Sequence, residues 1–126
     1  MPYMTDNVYD TGLNYAKNNA GRLDICSQEP ATYTEATSTY TKGNKTPPTI
    51  TGPADRASGG RELTIAAITD GSVTATATVT HWALSKTTAT TELLATNALA
   101  ASQSVTINNV FTTAACKLGI GDAVSG

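Results

Sequence analysis

The sequence predicts a mainly β domain: a single antiparallel β-sandwich with one short N-terminal α-helix. Three observations predict it. The run "SVTATATVT", Ser72 to Thr80, alternates small apolar residues with Thr, the period-two pattern of a half-buried strand. Turn signals recur about every 8 to 12 residues, the spacing of a sandwich or barrel of the immunoglobulin-like or jelly-roll-like kind. Thr and Ala are abundant while Leu, Glu and Lys are scarce, and the branched Cβ of Thr suits a pleated sheet better than a helix.

The elements follow in order. Val8, Tyr9, Gly12, Leu13, Tyr15 and Ala16 recur at spacings of three and four, so residues 1–21 read as a helical segment that buries Val8, Leu13 and Tyr15. Thr5 or Asp6 caps its start, and Asn18, Asn19 and Gly21 stop it. "RLDICS" alternates Leu23 and Ile25 with Asp24 and Cys26 as a short strand. Residues 22–126 form the sandwich, with an extended polar connection over about 28–60. That connection carries a short turn near Thr34 to Ala36 and a proline-bracketed edge strand at Thr49 to Thr51. Ala54 to Gly60 reads as an exposed, mobile loop. "RELTIAAITDGSVTATATVTHWAL" reads as a hairpin turning at Asp70-Gly71. "ELLAT", "SVTI", "VFTTA" and "CKLGI" read as further strands, with a turn at Asn108-Asn109.

The chain has 126 residues and a net charge of −2, enough length for one domain that buries well over half of its unfolded surface. The eight Lys and Arg residues are scattered, which argues against nucleic acid as a partner. No stretch has the roughly 20 apolar residues of a membrane helix. "MPYMTDNVYD" lacks the basic and apolar regions of a secretory signal, so synthesis and residence in the cytoplasm of the producing cell are expected. Cys26 and Cys116 lie far apart without a C-x-x-C unit. They read as reduced thiols packed as small apolar residues, with a disulfide formed after release as the alternative.

His81 and Trp82, the only His and the only Trp, stand side by side. Alternation up to Val79 points His81 inward and Trp82 outward, yet Trp82 and Leu84 are the large apolar residues. Burial parity therefore flips between Val79 and Trp82. Either a β-bulge moves the later side chains to the other face, or both faces are covered, for instance by the N-terminal helix. In both cases Trp82 is a core anchor. Catalysis by His81 needs an oriented nucleophile or a carboxylate partner, and G-x-S-x-G, S-x-x-K and Cys-His motifs are absent from the sequence. One His and two distant Cys give no metal-ligand spacing, and no cofactor motif is present. Tyr33, Tyr40 and Trp82 invite a sugar-stacking reading, but tyrosines in a polar segment more simply pin it to the sheet or to a neighbouring subunit.

Several stretches resemble a family of small virion proteins of tailed phages and prophages. They are "NVYDTGLNYAKNNAGRLDICSQEPATYTEATSTYTKGNKT", "GRELTIAAITDGSVTATATVTHWAL" and "LLATNALAASQSVTINNVFT". The strongest markers are R-L-D-I-C-S-x-E-P-A-T-Y at Arg22 to Tyr33 and G-R-x-x-T-x-x-A-I-T-D-G-S at Gly60 to Ser72. The resemblance implies a non-enzymatic structural protein of the virion, assembled in the host cytoplasm. A capsid decoration protein bound in multiple copies to the major capsid protein is the leading form. The alternative is a collar, tail or head-fibre module contacting portal or tail components, or host surface glycans. The resemblance brings no functional residues. Homo-oligomer contacts are expected, with Tyr9, Leu13, Tyr15, Tyr33 and Tyr40 as candidate docking residues because the helix and the polar connection carry them.

Overall fold

The computed structural model describes residues 5–57 and 59–121. Among the described residues one helix, α1 (Asp6–Asn19), precedes nine strands. They are β1 (Arg22–Cys26), β2 (Thr41–Lys45), β3 (Ile50–Asp55), β4 (Arg61–Ile65), β5 (Ile68–Val73), β6 (Ala77–Lys86), β7 (Glu92–Val105), β8 (Val110–Thr113) and β9 (Cys116–Ile120). Six strands form a curled sheet in the order β7-β6-β1-β2-β5-β8, and three form a second sheet in the order β3-β4-β9. Every pairing is antiparallel. The fold is therefore mainly β and sandwich-like, with one N-terminal helix.

The core lies between the sheets. Leu23, Ile25, Val79, Trp82, Leu84 and Phe111 of the large sheet pack with Ile65 of the small one. α1 does not lie across the outer face of the large sheet. Leu13 and Ala16 pack on Leu63, with Ile50 and Leu118 alongside, so the helix covers the small sheet. Its buried stripe is Tyr9, Leu13 and Ala16, at spacings of four and three. Val8 and Tyr15, expected to be buried, are 54% and 49% exposed. Thr5 stands at the cap with extended backbone but makes no side-chain cap bond.

Four further expectations are corrected. Asp70-Gly71 is not a hairpin turn; it lies inside β5, with Gly71 opposite Phe111 of β8. A Cβ on Gly71 would collide with the Phe111 ring. The glycine serves close approach of an aromatic ring, not a turn. The polar connection holds a strand that composition conceals: β2, "TKGNK", sits between β1 and β5. Its polar side chains are paired, Thr41 with Asp24 and Lys45 with Asp70, and Gly43 lets the backbone of Ser72 approach. "ELLAT" and the first two residues of "SVTI" belong to one strand, β7, whose pairing with β6 shifts register midway. The Ala54 to Gly60 loop is also shorter than expected: Ala54 and Asp55 finish β3, and Arg56 N donates to Gly60 O.

Candidate functional site

Strands β1 and β6 run side by side, with Leu23 opposite Leu84 and Ile25 opposite Trp82. Both faces of this pair are covered. Leu23, Ile25, Trp82 and Leu84 face the main core. On the other side lie Asp24, Cys26, Ala83 and Ser85, each fully buried. The segment 31–40 covers Cys26 and Ala83, through a single π-helical turn at Glu35–Thr39. Ala36 packs on Cys26 and Ala83. The turn's start is fixed by Glu35, whose carboxylate accepts from Ala31 N at 2.9 Å. That bond holds the Glu35 carboxyl below its usual range.

The covered face is polar at one end. Arg22 donates to both Asp24 oxygens at 2.6 Å, Thr41 Oγ1 donates to Asp24 Oδ2 at 2.6 Å, and Arg22 reaches Thr37 O at 3.4 Å. One buried carboxylate thus ties β1, β2 and the covering segment together. This is the structural content of the R-L-D-x-C pattern: Arg22, Asp24 and Cys26 share a face. Burial, with the Asp24 carboxylate nearby, pushes the Cys26 thiol up to about 12. It is an inert packing group.

His81 has a carboxylate neighbour that the sequence did not reveal. Its Nε2 lies 3.6 Å from Glu29 Oε2. Thr80 Oγ1 donates to Ser27 O and stands 2.8 Å from His81 Nδ1. The Glu29 side chain is 65% exposed. This arrangement fastens the chain where it leaves β1.

Beside Trp82 the opposite face is incompletely filled. The β6–β7 ladder pairs Val79 with Gln103 and then His81 with Ala98. Thr80 alone therefore stands opposite the four residues 99–102, so β7 carries three extra residues at this point. Leu99, Ala100 and Ala101 of this stretch wall a cavity of about 220 Å³. Trp82 and Leu23 line it on the core side. Ala98 to Ala101 and Gln103 line one flank, and Thr113 to Cys116 the other. The expected parity flip is thus present: Val79 and Trp82, three positions apart, are both buried in the same core. The irregularity lies mainly in the partner strand.

The predicted docking residues do not come together. Tyr9 and Leu13 are each 3% exposed and are buried within the chain, so they offer no docking surface. Tyr15 is exposed and donates to Glu92 at 2.7 Å; that bond raises its hydroxyl pKa. Tyr33 and Tyr40 are half-buried on the covering segment, Tyr40 against the Cys26, Ala36 and Ala83 cluster. Trp82 is 4% exposed, in the core. Cys26 and Cys116 are free and belong to different sheets.

The G-R pattern at Gly60 and Arg61 also resolves into structure. Arg61 donates to Asp10 at 2.9 and 3.2 Å and to Asp55 at 2.7 Å, with Asp6 at 3.9 Å. It fastens α1 to the small sheet. Gly60 has φ +86°, and a Cβ there would meet Ile120 O.

Comparison with protein-family models, curated proteins and solved structures gave no match. The cavity was missed in the sequence. Its one signal was low side-chain bulk, in "NALAASQ" and "TTAAC".

Proposed function

We propose that this chain is a non-enzymatic structural protein of a tailed-phage virion, a capsid decoration protein that binds the major capsid protein in several copies. The observation that carries the reading is at the β8 end of the large sheet. β8 is a terminal strand of its sheet, with Val110 66% exposed, and Ile107 is 48% exposed in the preceding turn. Large apolar side chains at an unpaired strand edge favour association with another protein. The resemblance in the Arg22 to Tyr33 and Gly60 to Ser72 runs supplies the virion context.

Cryo-EM of particles from cells that produce the chain tests this reading. The expected result is density for the chain on the shell in many symmetric copies. Particles that lack the chain overturn it, and density confined to one vertex moves the protein to the collar or tail. Val110→Lys is expected to abolish binding to undecorated particles while leaving the melting temperature unchanged, because Val110 is exposed.

A further inference from the structure

The 220 Å³ cavity beside Trp82 lies on the large sheet where β7 leaves its register, and the assembly reading does not use it. Ala98, Ala100, Ala101, Ala114 and Ala115 are exposed, so the cavity opens to solvent between residues 98–101 and 114–115. We propose that this cavity is a binding site for one uncharged, apolar ring compound.

Three features select that class. The first is size. An apolar protein cavity of about 150 Å³ takes one benzene. Scaling benzene's six carbons to this volume gives about nine non-hydrogen atoms, a ring with a short substituent. The second is chemistry. Among the described residues that line it none carries a charge; Gln103 and Thr113 bring the side-chain amide and hydroxyl. A carboxylate or ammonium entering here would lose hydration without a counter-charge, whereas an apolar ring loses little. The third is construction. The wall is made by the three-residue register break in β7, a device found next to binding sites because it re-aims a strand locally. Alanines on both flanks keep the space open, and the indole of Trp82 at the floor offers a flat apolar surface for a ring.

Trp82 is the chain's only tryptophan, so its emission reports on the cavity directly. Propylbenzene and benzoate each have nine non-hydrogen atoms and differ in charge. Titration with propylbenzene is expected to give a saturable change in Trp82 emission and a raised melting temperature. Benzoate is expected to bind at least about tenfold more weakly. Bound propylbenzene is expected to slow alkylation of Cys116, read by peptide mass. Ala98→Leu and Ala115→Leu fill the cavity from opposite flanks at exposed positions, and each is expected to weaken propylbenzene binding by about tenfold or more. Absence of saturation up to the solubility limit of propylbenzene overturns the proposal. So does binding that survives both substitutions, or benzoate binding of equal strength. If one filled variant fails to fold, the other and the Cys116 protection decide the matter.

Discussion

The two faces of the β1–β6 pair are built from alternate residues of the same two strands and solve burial in opposite ways. One face uses large apolar groups, Leu23, Ile25, Trp82 and Leu84, and leaves space beside the indole. The other uses small or polar groups, Asp24, Cys26, Ala83 and Ser85, and leaves none of them exposed. The apolar face tolerates a gap because dispersion and the hydrophobic effect are non-directional. The polar face cannot, because a buried carboxylate needs partners at defined distances. Its cover is therefore a tailored segment, 31–40, pinned by Arg22 and Glu35, while Thr41 completes the partners of Asp24. The face with directional bonds is held fast, and the face without them has room for a guest.

The largest test of this contrast is Arg22→Ala. It leaves the Asp24 carboxylate buried with only the Thr41 hydroxyl, and it should cost about 3–5 kcal/mol in denaturant unfolding. The paired change Arg22→Met with Asp24→Leu should recover much of that loss, because both charges then leave together. Trp82→Ala comes next. Large-to-Ala core changes cost about 3–5 kcal/mol; here the lower end is expected, since one side of the ring already borders empty space. Retained stability in Arg22→Ala, or a costlier Trp82→Ala, would reverse the ranking of the two faces.

The two thiols sharpen the contrast by titration. The Cys26 pKa is raised from 9.0 to about 12 in the folded chain. The unfolded thiol therefore ionises first as pH rises, and its ionisation favours unfolding. This contribution is intact below about pH 9 and fades as pH climbs towards 12. Melting temperature should fall across that window, and Cys26→Ala should flatten the fall. Cys116, raised by burial but half-exposed, should be alkylated well before Cys26 in the native protein.

Two smaller effects complete the series. Ser85 Oγ is buried without a hydrogen-bond partner, so Ser85→Ala should stabilise the fold by about 1 kcal/mol. His81→Gln should cost less than about 1 kcal/mol, because the Glu29 partner is largely in water and screened. Equal melts of wild type and Ser85→Ala would mean that a water satisfies the hydroxyl.

Sequence reading succeeded for the helix and failed where pairing is long-range; even the most regular alternation, Ser72 to Thr80, is split between β5 and β6, with residues 74–76 outside both strands. The spacing of Tyr9, Leu13 and Ala16 suffices to place a helix, and the Val79 to Trp82 parity flip marks a real irregularity. The composition of "TKGNK" argues against a strand, because the groups that justify it, Asp24, Asp70 and Phe111, are far away in sequence. Asp70-Gly71 misleads for the same reason: the turn signal is local, and the ring that requires the glycine lies forty residues on. The cavity depends on how many residues of β7 oppose Thr80, a count invisible in either strand alone. Glu29 and His81 are likewise far apart in sequence and meet only in the fold.

The pairing of β4 with β9 carries a consequence for synthesis. Arg61 to Ile65 align with Ile120 to Cys116, so β4 waits for more than fifty residues before its second neighbour exists. A chain made from its N-terminus at roughly 5–20 residues per second leaves that edge bare for several seconds. During that interval the β3–β4 hairpin can already form and α1 can already lie on it, with the ion pairs of Arg61 to Asp10 and Asp55 in place. The ionic grip on the helix thus belongs to the nascent chain as much as to the finished one. It holds the small sheet's apolar face covered while the ribosome is still extending the strand that will close its side.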